Sequence, residues 1–173
     1  MKSILAISGS LRQGSSNHSI LQLLGKMMSG GINYSIYDGI RNISAFDPGI
    51  DNDNPPVQVT DFRKKIFQAD GIIICTPEYA YGVPGALKNA LDWTVSSGSF
   101  SGKPTALITA STGGENAHEA LIKILGAIDA KLSPDATLLI PFVRSKMDSN
   151  GNVVDSDTSQ QLRVLLEAFI NLV

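Results

Sequence analysis

The sequence is short of several things, and each shortage closes off a class of protein. It has one cysteine, Cys75, so no disulfide can form within the chain and cysteine alone cannot build a thiolate metal site, a usage that fits a reducing cytoplasm. It has no long apolar run. The most apolar stretch, Ile72-Ile73-Ile74-Cys75, falls far short of the ~20 residues that cross a bilayer, and Met1-Lys2 leads into only Ile4 to Ile7 before Ser8 and Gly9. Neither a membrane anchor nor a secretion leader is expected. Excess charge is also lacking: 14 Lys and Arg face 16 Asp and Glu, a formal balance of −2, with no basic tail or stripe to track a polymer of phosphates. Nucleic acid is therefore set aside as a partner. No repeat, low-complexity tract or linker interrupts the chain, and 173 residues with 43% hydrophobic content suit one domain, 1–173, burying about 70% of its unfolded surface.

What the chain has in quantity is alternation. Five short β-rich runs stand out: Ser3–Ser8, Asn33–Tyr37, Gly71–Cys75, Thr105–Ala110 and Ala136–Ile140. Ile4-Leu5-Ala6-Ile7, Ile72-Ile73-Ile74-Cys75 and Ala106-Leu107-Ile108 are continuously apolar, which suits central parallel strands covered on both faces; the second run alternates and suits an edge. Between the runs, apolar residues recur at helical spacing: Ile20, Leu24 and Met27; Val59, Phe62 and Ile66; Leu87 and Leu91; Leu121, Ile124, Leu125 and Ile128; Leu162, Leu165, Leu166 and Phe169. Pro84 fits the first turn of a helix over Gly85–Ser96, while Pro134 and Gly102-Lys103-Pro104 fit the stops before the next strands. Five β-α units in a row call for an α/β fold, a parallel sheet with right-handed crossovers and helices on both faces. The longest connection, Asp38 to Pro56, reads as an exposed loop.

In such a sheet, ligands bind beyond the carboxyl ends of the strands, where the winding direction reverses. With strand order 2-1-3-4-5, the loops after the first, third and fourth strands line one cleft. They are Ser8 to Asn17, Thr76 to Gly85 and Ser111 to Asn116, all rich in glycine and hydroxyls. The first holds four serines, Asn17 and Arg12 just before a helix, so backbone N–H groups, hydroxyls and a guanidinium could converge on one anion. The plainer reading is a capped helix start, with Ser15, Ser16 or Asn17 as N-cap and Arg12 solvated; the two are compatible. A nucleoside-triphosphatase loop would need lysine where Ser15 stands, and a dinucleotide fingerprint would need glycine at Leu11. Asp38, after the second strand, stands where a ribose-binding acid could be but reads as a turn residue. A single terminal phosphate, as in FMN, is the economical choice. Tyr79 and Tyr81, on a path fixed by Pro77 and Pro84, offer surfaces for a flat ring, or else cover helix ends with Glu78 solvated. Gly113 and Gly114 would let the backbone approach a ring edge, or form an ordinary strand-to-helix turn.

The remaining reactive residues take bland readings. His18 and His118 read as solvated, Arg63-Lys64-Lys65 as the wet side of a helix, and Cys75 as a packing residue beside the site with a redox role as its alternative. No G-x-S-x-G motif and no cluster of His, Cys and acidic residues points to a hydrolase or a metal site.

Three segments together resemble the NADPH-dependent FMN reductases, flavodoxin-like proteins that include quinone, azo-dye and chromate reductases. They are Gly9-Ser10-Leu11-Arg12 with Ser15 and Asn17; Thr76-Pro77-Glu78-Tyr79 followed by Val83 to Trp93; and Ser111-Thr112-Gly113-Gly114. The resemblance implies a flavodoxin-like three-layer α/β/α fold over nearly the whole chain. It implies that Ser10, Arg12, Ser15, Ser16 and Asn17 hold the FMN phosphate, and that Pro77, Glu78 and Tyr79 border the isoalloxazine ring with Ser111 and Gly114 on its other edge. It implies NADPH or NADH as electron donor, a small-molecule acceptor such as a quinone, azo compound, free flavin or oxidised metal ion, and ping-pong kinetics at one site. No side chain need act as nucleophile or base. A homodimer or homotetramer is expected through the region of Trp93, placed near the cleft. The rival reading is a flavodoxin-like electron carrier or FMN-binding module without NAD(P)H turnover. Three departures stand out: Ala80 replaces the usual Asn of Pro-Glu-Tyr-Asn, Gly82 replaces a common Ser, and Glu115-Asn116-Ala117 replaces the usual continuation to arginine.

Overall fold

A computed structural model, which describes residues 1–28 and 30–173, turns this alternation into five strands and five helices among the described residues. In chain order they are β1 Lys2–Ser8, α1 Ser16–Met27, β2 Ile32–Tyr37, α2 Val57–Gln68, β3 Gly71–Thr76, α3 Gly85–Asp92, β4 Pro104–Ala110, α4 Glu115–Ala127, β5 Lys131–Ile140 and α5 Ser156–Leu172, with single 3-10 turns at Gly39–Asn42 and Val143–Lys146. The strands form one parallel sheet in the order β2-β1-β3-β4-β5, as expected.

The apolar runs are continuous because both sheet faces are covered. Leu5, Ile7, Ile72, Ile74 and Leu107 pack with Phe62 and Ile66 of α2, Leu87 and Leu91 of α3, and Leu121 and Leu125 of α4. Their sequence neighbours Ile4, Ala6, Ile73, Ala106 and Ile108 face the other way, onto Ile20 and Leu24 of α1 and Leu162, Leu165 and Phe169 of α5. The strand's two-residue period thus divides one apolar run between two cores. β2 lies at the sheet edge and alternates partly buried with exposed residues over most of its length.

Several expectations need correction. β5 starts at Lys131, so Pro134 lies inside the strand rather than before it. The β4–β5 register shifts between Thr105 and Leu107, and β5 is the other edge, so a proline without an N–H sits where no ladder bond is lost. The third helix ends at Asp92, with Pro84 as its N-cap and Trp93 as its C-cap. Trp93 is fully buried, and the connection after β2, mostly exposed as expected, sends Ile40 and Ile43 into the core and packs over the tryptophan. Trp93 Nε1 donates to Ser44 O (2.8 Å), Asn89 Nδ2 donates to the same oxygen (2.9 Å), and Phe46 meets the indole edge-on at 5.1 Å. Arg63, expected in water, donates to Trp93 O (2.6 Å) and to Asp51 Oδ1 (2.7 Å) from a largely buried position.

Candidate active site

The first loop is placed by glycine. Gly9 N–H donates to Cys75 O (2.8 Å), and a Cβ at Gly9 would overlap the side chain of Thr76, so only glycine lets the end of β1 lie against the end of β3. The loop then turns into α1 with Ser15 as N-cap, its Oγ accepting from His18 N–H (3.2 Å). Ser15, buried, keeps its hydroxyl proton for another acceptor, and Ser10, also buried, accepts weakly from Arg12 N–H (3.4 Å). Asn17 is engaged differently. Its Nδ2 donates to Ala110 O (3.2 Å) and its Oδ1 accepts from Cys75 Sγ (3.3 Å), so its side chain ties α1 to β3 and β4, with one Nδ2 proton and the backbone N–H uncommitted. Burial pushes the Cys75 thiol up, which keeps it protonated and unreactive.

The second loop is a tight hairpin. Tyr79 and Gly82 exchange two backbone hydrogen bonds of 3.0 Å each, with Ala80 at φ 49° and Tyr81 at φ 59° between them. Tyr79 is 55% and Tyr81 83% exposed, so both aromatic surfaces stand free at the mouth of the cleft. Glu78 is not a solvated acid: its N–H donates to Ser111 Oγ (3.2 Å), and its Oε2 accepts from Ala117 N–H (2.9 Å) in the first turn of α4. The helix N-cap, Gly114, offers no side chain for that task, so Glu78 supplies it from the neighbouring loop. Second and third loops are thereby held together.

Nine of the ten residues expected at the site, all but Gly114, line a single cleft of about 160 Å³: Ser10, Arg12, Ser15, Ser16, Asn17, Pro77, Glu78, Tyr79 and Ser111. Gly114 instead serves its own turn, with φ 121° and no room for a Cβ, which would lie 2.9 Å from Leu139. Ala110, Thr112, Val143 and Arg144 complete the wall, and the last two lie outside the three loops that the topology singles out. They arrive because Phe142 N–H donates to Thr112 O and Val143 N–H to Ser111 O, both at 3.0 Å, folding the segment after β5 across the end of β4. The topological rule that singled out three loops extends to this one, since β5 is the neighbour of β4.

The electrostatics follow. Among the described residues, neither Arg12 nor Arg144 has an acidic partner within 4 Å, and the acid of the cleft, Glu78, is turned to Ala117. Two unpaired guanidiniums, the hydroxyls of Ser10, Ser15 and Ser16 and a helix N-terminus in one cleft form a donor set for a dianionic terminal phosphate, with Tyr79 positioned for a flat ring beside it. FMN has both parts, so the residues present fit it. The histidines stand apart. His118 is half-buried with Nδ1 2.9 Å from Thr109 Oγ1, and burial lowers its pKa against the opposing charge of Glu119; His18, also half-buried, faces a different pocket.

Comparison with known proteins agrees with this chemistry. The family described as NADPH-dependent FMN reductase matches residues 2–144. A quinone reductase of Escherichia coli (strain K12) is 32% identical over 96% of this chain and 92% of its own. An NAD(P)H-dependent FMN reductase of Pseudomonas aeruginosa is 32% identical over 95% and 91%. Among solved structures, FerB, a flavoenzyme NAD(P)H:(acceptor) oxidoreductase from Paracoccus denitrificans, superposes with a TM-score of 0.79 at 25% identity, covering 99% of this chain and 97% of that one. A match of this extent, on a flavodoxin-like fold, places the chain in the NADPH-dependent FMN reductase family, as an oxidoreductase that works with FMN and NAD(P)H.

Proposed function

We propose that the chain, 1–173, is a single FMN-binding domain whose cleft grips the FMN phosphate with Ser10, Arg12, Ser15, Ser16, the Asn17 backbone and Arg144. Pro77, Glu78, Tyr79 and Ser111 border the ring, and Gly114 shapes the far edge through its turn. The observation that carries this reading is the pair of unpaired guanidiniums over the buried hydroxyls at one helix start. When bound, FMN supplies the redox chemistry. The protein's own part is to position and shield. Ser15 and the first turn of α1 fix the anion, the Glu78–Ala117 and Glu78–Ser111 bonds hold two loop walls at constant spacing, and Tyr79 and Tyr81 screen the mouth from water.

NAD(P)H and the oxidised acceptor use the same cleft in turn, so double-reciprocal plots at several acceptor concentrations should be parallel. Intersecting lines would contradict this. The names of the similar proteins support a quinone as acceptor class. A cytoplasmic setting accords with the lone, buried thiol. Assembly as a homodimer or homotetramer is supported by the exposed rim of Tyr81 and Phe142, with Trp93 buried beneath the 43–51 segment and unable to take part. Light scattering tests that; a monomer would overturn it.

The direct test is a titration of the purified protein with FMN followed by anaerobic addition of NADPH or NADH. A bound flavin spectrum that bleaches with either donor is expected. A protein that takes up no flavin refutes the cleft assignment, and one that binds flavin but does not bleach is a carrier rather than a reductase.

A further inference from the structure

On the opposite side of the first loop lies a larger pocket, about 640 Å³, within the range of small-ligand sites. It opens beyond the carboxyl ends of β1 and β2, away from Pro77, Glu78, Tyr79 and Ser111, and the proposed flavin cleft does not use its far wall. Three kinds of group line it. Tyr37 and Ile40, both buried in the core, with Ile36 beside them, make a fixed apolar surface. Asp38 follows β2 directly and opens the 3-10 turn Gly39–Asn42 without capping it; among the described residues its carboxylate accepts no hydrogen bond. Arg41 donates from Nη2 to Leu11 O (2.7 Å), which fixes the guanidinium against the first loop and leaves the rest of its donors unpaired, while Arg12 faces the same space from that loop.

Asp38 and Arg41 carry opposite charges three residues apart, yet no ion pair joins them. An apolar wall, an acid with free acceptors and the Arg41 guanidinium with free donors, beside Arg12 shared with the flavin cleft, match the three parts of a nucleoside phosphate: base, ribose hydroxyls and phosphate. We propose that this pocket binds an adenosine phosphate, either free or as the adenosine half of the reduced nicotinamide donor. Naming adenosine among the nucleosides rests on the NAD(P)H dependence stated above; the pocket's chemistry does not.

The test is calorimetry of FMN-loaded protein with ADP as the probe. ADP should bind without displacing flavin, and Arg41→Ala and Asp38→Asn should each weaken it about tenfold, as loss of a charged hydrogen bond predicts, with FMN affinity unchanged. Asp38→Asn is the cleaner variant, since Arg41→Ala also removes the tether to Leu11. If the ligand is the donor's adenosine half, both variants raise KM for NADPH or NADH about tenfold at constant kcat, yet leave KM for reduced nicotinamide mononucleotide, which lacks that half, unmoved. Weakened ADP binding with unmoved donor KM supports the pocket and assigns it to a free adenine nucleotide. No ADP binding at millimolar concentration, displacement of FMN by ADP, or binding indifferent to both substitutions overturns the proposal. Calorimetry needs no turnover, so a protein that fails to oxidise NAD(P)H would refute the proposed function without deciding this one.

Discussion

Two regions of the molecule place arginine beside an aromatic residue, and they handle the pair in opposite ways. Under the 43–51 segment, Arg63 reaches Trp93 O, Asp51 and Ser96, and its guanidinium lies 5.8 Å from the centre of the fully buried Trp93 ring. At the cleft, Arg12 and Arg144 have no acidic partner among the described residues, and Tyr79 and Tyr81 project into solvent. The first arginine completes the fold. The other two keep their hydrogen-bonding capacity for something that arrives from outside. Binding sites are recognisable here as places where strong donors go unanswered within the chain.

The largest effect should come from the satisfied region. Arg63→Ala strands the Asp51 carboxylate in a largely buried position and should cost about 3 kcal/mol of stability in urea unfolding. A loss below about 1 kcal/mol would show that water answers Asp51 equally well and would blur the contrast. The pair also has a pH signature. Burial alone would raise the Asp51 carboxyl, but the bonds from Arg63 and Ser96 outweigh it and hold the group below the usual carboxylate range. The folded pKa is depressed, so this contribution is intact above the unfolded carboxylate value of about 3.9 and is lost as pH falls through the folded one. Acidification should therefore shrink the stability gap between the native protein and Asp51→Asn.

The unsatisfied region should respond in the opposite register. Arg12→Ala should leave unfolding of the flavin-free protein within about 0.5 kcal/mol of its starting value but weaken FMN binding by about 1.5–3 kcal/mol, read by fluorescence quenching on titration. Arg144→Ala should act in the same sense. If either substitution destabilises the empty fold as Arg63→Ala does, the cleft arginines are structural and the comparison fails.

How much of this was legible in the sequence depends on where each residue's partners lie. The sheet was legible because burial on both faces writes unbroken apolar runs at β1, β3 and β4, and because the topological rule then fixes which loops meet. Trp93 and Arg63 were misread because their partners, Ser44 and Asp51, sit in a polar stretch that looks like exposed loop until it folds over them. Pro134 was misread because its tolerance depends on a register shift and an edge position, which no local pattern records. Gly114 lay in a glycine pair that suggested approach to a ligand, whereas its positive φ and the nearness of Leu139 show a turn that needs glycine with or without one. Arg144 was within reach, because the loop after the fifth strand belongs to the same edge of the sheet.

The smallest effect sharpens the comparison from the backbone side. Four non-glycine residues have positive φ among those described, and three of them, Ala80, Tyr81 and Phe142, sit around the cleft, while the Arg63 region has none. Each such residue costs of order 1 kcal/mol and persists only where surrounding structure holds it. The departure at Ala80 from the family's usual Asn is then a conformational matter as well as a lost polar group, because Asn tolerates the left-handed region better than alanine. Ala80→Asn should raise stability by about 0.5–1 kcal/mol, a shift of about 1–4 °C in Tm. Its effect on turnover separates two uses of the strain. If the turn only presents Tyr81, KM for donor and acceptor stays put while Tm rises. If the strained turn must yield as donor and acceptor exchange in the cleft, the stiffer hairpin lowers kcat while FMN affinity is unchanged. A Tm that falls would mean the hairpin is held open by contacts that asparagine disturbs, and the strain at the cleft would lose its meaning.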